Sequence, residues 1–126
     1  MSATLRSVSL LRSFGFALEG VSYLIRTQRS AQIEIVIGVA VIAVAVWLGI
    51  SAIEWAVLVL AMALVLALEA LNTSIELAVT LASPERHPLA KAAKDVAAAM
   101  VLIAAAGALI VGVAILGPPL IVRMAG

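Results

Sequence analysis

The chain has 126 residues, of which 65% are hydrophobic and 12% are charged, and its formal net charge is +1. Its mean hydropathy is +1.25. A water-soluble domain of this size does not need so much apolar sequence, so the composition indicates an integral membrane protein. The near-neutral charge, without a basic cluster or stacking aromatic residues, argues against nucleic-acid binding. The absence of cysteine excludes a disulfide framework.

The N-terminal stretch 5–26 has the period of an amphipathic helix. Apolar residues recur at steps of three and four from Leu5 to Ile25, whereas arginine, serine and glutamate occupy the other side. Because a membrane span follows at once, we expect this helix to lie in the bilayer interface. A soluble helix packed on a cytoplasmic domain is the alternative, but little polar sequence remains to build one. The arginines are dispersed, so we expect no signal peptide.

Three apolar stretches follow, and each is long enough to cross a bilayer. A polar hinge at 27–32 precedes the first stretch, and a tight turn at 49–52 separates the first from the second. A polar loop with two prolines, 83–88, separates the second from the third. The third is crowded with alanine and glycine, and we expect it to end at 117–119 (Gly-Pro-Pro). The predicted spans are 33–50, 55–82 and 96–116.

The basic residues are distributed unevenly around these spans. They precede the first span and follow the second, whereas the loop between the two contains no lysine or arginine. The positive-inside rule therefore places the N-terminus and the loop 83–88 in the cytoplasm. Trp47 and Trp55 mark the opposite interface, and Arg123 lies on that outer side.

Three polar side chains interrupt the second span and share one face of the helix. At ~100° per residue, Asn72 lies about 60° from Glu69, and Glu76 lies about 20° from Glu69. A carboxylate at the centre of a membrane helix costs roughly 2.5–3.5 kcal/mol, so such residues often mark function. Hydrogen bonding between helices is the alternative explanation. Two ionisable groups on one face are more than packing requires.

The chemistry of this polar stripe fits phosphoryl transfer at the cytoplasmic edge of the bilayer. Glu76, nearer to water, can bind Mg²⁺ through oxygen, and Lys94 supplies a point charge for phosphate. Glu69 lies deeper, where it can accept the proton of a lipid hydroxyl. The sequence has neither a Walker loop nor a kinase glycine-rich loop, so a nucleotide site would be of another kind. A small proton-coupled transporter is the alternative, because carriers also use buried carboxylates.

Two motifs in this region resemble the prokaryotic diacylglycerol kinase family, which includes undecaprenol kinases. Residues 69–76 read E-A-L-N-T-S-I-E, which matches the family's E-x-x-N-[ST]-[AS]-I-E. Residues 83–95 read S-P-E-R-H-P-L-A-K-A-A-K-D, which matches S-P-E-x-H-x-L-A-x-x-A-K-D. The resemblance extends over roughly 10–116 and includes the segment 13–20.

This resemblance implies an all-α membrane protein with three transmembrane helices and an N-terminal surface helix. It implies a homotrimer with active sites shared between subunits, in the bacterial inner (cytoplasmic) membrane. The implied activity is that of a lipid kinase, which transfers phosphate from Mg-ATP to diacylglycerol or undecaprenol. The motif 83–89 is more similar to the undecaprenol kinase branch, but the sequence leaves the acceptor open.

Carried over by position, the resemblance implies a role for each polar residue. Glu69 would be the general base, and Asn72 would orient the reacting groups. Glu76 would bind Mg²⁺, with Gln28 as a second metal ligand. Glu69 and Glu34 would form the lipid-substrate site. The implied nucleotide-binding residues are Lys94, Asp95, Glu76, Arg12 and Phe16.

Some of these assignments have simpler alternatives. Lys94 and Asp95 could be no more than a charged helix start at the interface. Glu34 could be an exposed interfacial charge or a supporting acid beside the site. His87 fits a solvated loop better than a catalytic group, so we leave it out of the site.

The chain departs from the family pattern at two positions. The family usually has Glu at the position of Gln28, and an amide brings no negative charge to a metal. A weaker metal site, or a catalytically impaired member of the fold, is therefore the alternative to a full lipid kinase. Thr80 is a milder departure, because the family often has Asp there.

Overall fold

A computed structural model describes residues 3–126, and it describes side-chain environments from residue 9 onward. The side chains of Leu5 and Arg6, predicted on opposite faces of the first helix, lie outside that part. Four helices follow one another, and the described part of the chain contains no strand. Three of them are long and apolar enough to cross a membrane, so the all-α membrane fold class is confirmed. The helices are α1 (Ala3–Thr27), α2 (Arg29–Leu48), α3 (Ala52–Ala82) and α4 (Pro88–Ala125).

The break between α1 and α2 is one residue long. Gln28 has an extended backbone (φ −106°, ψ 110°) and forms the N-cap of α2. The predicted hinge at 27–32 is therefore wrong in length, since α2 begins at Arg29 and not at residue 33. The segment 29–32 contains no helix breaker, so the helix propagates as soon as the extended residue is passed.

The turn between α2 and α3 is set by its local sequence. Gly49 ends α2 in the left-handed region (φ 67°, ψ 51°), and its N–H donates to the carbonyl of Ala45. Ser51 then forms a capping box with Glu54: the Glu54 N–H donates to Ser51 Oγ (3.2 Å), and the Ser51 N–H donates to Glu54 Oε1 (3.1 Å). The capping box satisfies two free amides at the helix start. As a result α3 begins at Ala52, before the predicted Trp55.

The start of α4 is also capped by its own sequence. His87 is the N-cap, and its Nδ1 atom accepts a hydrogen bond from the N–H of Leu89 (3.1 Å). Pro88 occupies the first helical position, where the missing N–H costs nothing. The interpretation of His87 as a loop residue outside the site agrees with this capping role.

The prediction that α4 ends at 117–119 is wrong. The helix continues through Pro118 and Pro119 to Ala125. A proline removes one backbone hydrogen bond, and membrane helices tolerate this loss. The last turn has a tertiary anchor: the Arg123 guanidinium lies 4.7 Å from the centre of the Trp47 ring and donates to the backbone carbonyl of Trp47.

The bundle buries few side chains inside a single chain. Helix α4 packs mainly against α3, yet none of the most apolar eighteen-residue stretch of α4 is buried. On α1, the apolar side chains of Leu11, Phe14 and Leu18 are exposed, as expected for a helix on a bilayer surface. The buried residues with polar side chains are Glu69, Asn72 and Thr73, all in one stretch of α3.

Candidate functional site

The polar stripe of α3 faces the inside of the bundle at its deeper end. Glu69 is only 2% exposed and Asn72 is 9% exposed, whereas Glu76 is half-buried. Oε1 of Glu69 accepts a 2.6 Å hydrogen bond from Ser30 Oγ, in the first turn of α2. Thr73 Oγ1 donates to the backbone carbonyl of Glu69 (3.0 Å). The carboxylate is therefore held between two helices at the start of α2.

Two acceptor atoms near this carboxylate lack a partner. The Glu34 carboxyl lies beside that of Glu69. Among the described residues, Oε2 of Glu34 and Oδ1 of Asn72 are buried and receive no hydrogen bond. A buried unpaired acceptor costs about 1–3 kcal/mol, so it calls for an explanation. A ligand hydroxyl or a water molecule would satisfy either atom, and a proton held between the two carboxyls would satisfy Oε2 of Glu34.

An open groove of about 700 Å³ lies next to Glu76. Lys94 reaches it from α4, and its Nζ donates to Thr80 Oγ1 (2.9 Å). Thr80, a departure from the family pattern, is thus a neutral partner for the lysine. The groove brings a carboxylate and an ammonium group together, as the sequence predicts for Glu76 and Lys94. Its lining residues are Glu76, Leu77, Thr80, Leu81, Pro84 and Lys94.

Other predicted nucleotide residues lie outside this groove in the single chain. Asp95 forms an exposed pair with Lys91 (2.6 Å) one turn earlier on α4. Arg12 is exposed on α1. Phe16 lines a separate open groove of about 500 Å³ on α1, together with Tyr23 and Arg26. The nucleotide assignments of Asp95, Arg12 and Phe16 stay predictions.

The predicted metal ligands do not meet in one chain either. Gln28 donates its side-chain amide to Thr27 Oγ1 (3.2 Å) and does not line the groove of Glu76. Within the described residues, no three His, Cys, Asp or Glu side chains form a metal-binding group. Mg²⁺ usually takes one or two carboxylates together with substrate phosphates and water. Glu76 fits that smaller requirement, as a ligand for a metal that arrives with a nucleotide.

Sequence reasoning missed the contact that Ser30 makes with Glu69. The residue fell in the predicted hinge, where a serine has no special meaning. With α2 starting at Arg29, Ser30 and Glu34 are four residues apart and share a helix face. That spacing was the signal available, and it depended on the correct helix start.

Comparison with known proteins identifies the family of this chain. The family model for prokaryotic diacylglycerol kinase matches residues 15–116. The chain belongs to this family. The match includes the polar stripe of α3, the groove beside Glu76 and the whole of α2.

Individual members of the family are similar over most of their length. A diacylglycerol kinase of Synechocystis sp. is 50% identical over 117 residues, which are 92% of this chain and 67% of that protein. An undecaprenol kinase of Bacillus subtilis is 38% identical over 109 residues, 86% of this chain and 89% of that protein. A diacylglycerol kinase of Pseudomonas aeruginosa is 35% identical over 95 residues, 75% of this chain and 77% of that protein.

Proposed function

We propose that the chain is an integral-membrane lipid kinase, which transfers the γ-phosphate of Mg-ATP to the hydroxyl of a membrane lipid. The observation that carries the proposal is the layout of α3. A buried carboxylate at Glu69 and an open groove with Glu76 and Lys94 lie along the same side of the helix. Membership of a family whose members include diacylglycerol and undecaprenol kinases supports the same activity.

In this proposal Glu69 is the general base. The lipid oxygen forms a bond to the γ-phosphorus, the bond between that phosphorus and the ADP oxygen breaks, and the hydroxyl proton passes to Glu69. Asn72, one turn along the same helix face, orients the reacting groups through its unpaired Oδ1 atom. Glu34 offers a second oxygen to the lipid hydroxyl. A base within hydrogen-bond reach of the proton contributes typically 10²–10⁴-fold to the rate.

In the proposal, the ATP phosphates bind at the Glu76 end of the polar stripe. Glu76 lies seven residues beyond Glu69, about 10 Å along the helix axis. Lys94 binds phosphate oxygens there, and Glu76 holds the metal that accompanies them. Mg²⁺, when bound, neutralises phosphate charge during transfer. Gln28 completes the metal site in the proposal, and Asp95, Arg12 and Phe16 complete the nucleotide site.

We also propose that the protein works as a homo-oligomer, a trimer in the bacterial inner membrane with a cytoplasmic N-terminus. The distribution of basic residues supports this orientation. The exposed apolar surface of α4, in which alanine and glycine alternate with larger aliphatic residues, suits helix packing in lipid. A site shared between subunits would explain why α1 carries Arg12 and Phe16 away from the groove of its own chain.

The decisive experiment measures the transfer of labelled phosphate from ATP to lipid. The purified protein in lipid vesicles, supplied with Mg²⁺ and ATP labelled at the γ-phosphate, should produce labelled phospholipid. Diacylglycerol and undecaprenol offered at equal surface concentration then compete, and the faster-labelled lipid is the acceptor. The Glu69→Gln protein, prepared in the same way, is the control for contaminating kinases. Proton-driven solute uptake without labelled lipid would identify a carrier and overturn the proposal.

A further inference from the structure

The contact between Ser30 and Glu69 is unusual among the described side chains. It is the one hydrogen bond between side chains that joins α2 to α3, and it is short, at 2.6 Å. Short hydrogen bonds from a hydroxyl to an ionised carboxylate are roughly twice as strong as neutral ones. Glu69 is only 2% exposed, whereas Ser30 is exposed, so the contact lies at the edge of the buried part of the bundle.

The contact involves one oxygen of the carboxylate. Ser30 Oγ donates to Oε1, and the carboxyl of Glu34 lies beside the same carboxylate. A glutamate side chain rotates about three bonds, so without a fixed oxygen the direction of its carboxylate is poorly defined. A hydrogen bond at Oε1 fixes the direction in which Oε2 points.

The backbone makes Ser30 a firm anchor for this bond. The residue lies in the first turn of α2, directly after the break at Gln28. The neighbouring Ala31 is completely buried, which seats this turn against the rest of the bundle. The anchor therefore belongs to a rigid element, and a site built on such an element holds its geometry well.

We infer that Ser30 is a positioning residue, whose hydroxyl holds Oε1 of Glu69 and directs Oε2 toward the lipid hydroxyl. The inference rests on the proposed function, in which Glu69 is the base. It adds a residue that acts through Glu69 and touches neither the nucleotide nor the phosphorus. Its effect belongs to the chemical step and leaves nucleotide binding alone.

The first test is Ser30→Ala, assayed by transfer of labelled phosphate to lipid. We expect kcat to fall roughly 10- to 100-fold, the kinetic equivalent of one hydrogen bond to a charged group, with KM for ATP unchanged. Ser30→Thr keeps the hydroxyl and should restore most of the rate. Ser74→Ala is the matched control, because the Ser74 hydroxyl is exposed and bonds only to Ala70 of its own helix (2.9 Å). That control should retain normal activity.

The second test combines Ser30→Ala with Glu69→Gln. If Ser30 acts through the carboxylate, the added loss in the Glu69→Gln background should be less than about twofold, because the two residues work as a unit. An equal loss in both backgrounds would mean that Ser30 supports the fold, and would overturn the inference. Normal kcat in Ser30→Ala, or failure of Ser30→Thr to restore it, would also overturn it and leave the proposed function standing. Normal turnover in Glu69→Gln would instead show that Glu69 is not the general base, a role on which the inference and the proposed function both rest.

Discussion

Glu69 is the residue on which the proposed chemistry depends. It is buried at 2% exposure and hydrogen-bonded from Ser30, so replacing it by glutamine preserves the size of the side chain and most of its contacts. Glu69→Gln should lower turnover by roughly 10²–10⁴-fold, since the proton acceptor is lost. KM for ATP should change little, because the groove of Glu76 and Lys94 is intact.

The control for this substitution lies at the opposite end of the same helix. Glu54→Gln removes one carboxylate from α3 but keeps an acceptor for the capping box. It should leave turnover unchanged in the phosphate-transfer assay. Near-normal turnover in Glu69→Gln would show that the polar stripe serves packing between helices and not catalysis.

A separate prediction concerns Gln28 and the Mg²⁺ requirement of the activity. In the proposed metal site, a neutral amide at this position leaves Glu76 as the main anionic protein ligand for Mg²⁺. Gln28→Glu should therefore lower the Mg²⁺ concentration for half-maximal activity, by roughly tenfold if the new charge adds ~1.4 kcal/mol to metal binding. A Mg²⁺ titration of the lipid kinase activity measures this.

Gln32→Glu adds the same charge one turn farther along α2 but loses the hydrogen bond that Gln32 Nε2 donates to the Ile25 carbonyl (2.8 Å), so Gln32→Ala is assayed beside it as the control for that loss. Gln32→Glu should not change the Mg²⁺ requirement. An identical titration for the wild type and Gln28→Glu would place residue 28 away from the metal. Activity found only in Gln28→Glu would identify the natural chain as a catalytically impaired member of the family.

At the scale of the helices, the turn between α2 and α3 is the most sharply defined element. Gly49 adopts φ 67°, a conformation that costs a residue with a Cβ about 1 kcal/mol or more. Gly49→Ala should lower the midpoint of thermal unfolding in detergent, measured by loss of helical circular dichroism. Gly49→Asn should lower it less, because asparagine tolerates the left-handed region. Equal midpoints for all three proteins would show that the turn relaxes without cost.

Different elements were predictable to different degrees, for physical reasons. The stripe of Glu69, Asn72 and Glu76 could be read from the sequence because polar residues stand out against an apolar helix and follow its period. The start of α2 and the end of α4 could not. One depends on a single extended residue, and the other on a tertiary contact of Arg123 that local sequence does not encode.

The residues of the candidate site were also predictable to different degrees. Glu76 and Lys94 were expected together, since they flank the same loop and each lies in one of the two family motifs. The partner of Glu69 was not, because the side chain that meets it depends on how α2 packs against α3. Arg12 and Phe16 lie outside the groove of Glu76 in the single chain, so their predicted nucleotide role depends on the proposed oligomer.

For the whole molecule, the shared site can be tested by mixing variants. If α1 of one subunit serves the groove of another, mixed oligomers of Arg12→Ala and Glu69→Gln should recover activity that neither protein has alone at low ATP. The control mixture is Glu69→Gln with Glu76→Gln, whose changes lie on the same helix and disable the same site. No recovery in the first mixture would place Arg12 at the site of its own chain.

The orientation in the membrane has an equally direct test, because the natural chain contains no cysteine. Glu85→Cys places a thiol in the loop between α3 and α4, and Ala52→Cys places one at the turn between α2 and α3; both positions are exposed. A membrane-impermeant maleimide added to intact spheroplasts should label only Ala52→Cys. Inverted vesicles should give the opposite pattern. Labelling of Glu85→Cys from outside would reverse the proposed topology.

The contact between Arg123 and Trp47 joins the last turn of α4 to the end of α2. The contact holds the end of α2 against the end of α4, so a tilt of α2 about this point would move its opposite end most. The arm from Trp47 to Ser30 is ~25 Å long, and a tilt of about 5° moves its far end by about 2 Å. That displacement would separate the Ser30 hydroxyl from Glu69, and a misplacement of 1 Å can cost 10²-fold in rate. A contact between the ends of α2 and α4 is thus linked, through the length of α2, to the hydrogen bond between Ser30 and Glu69.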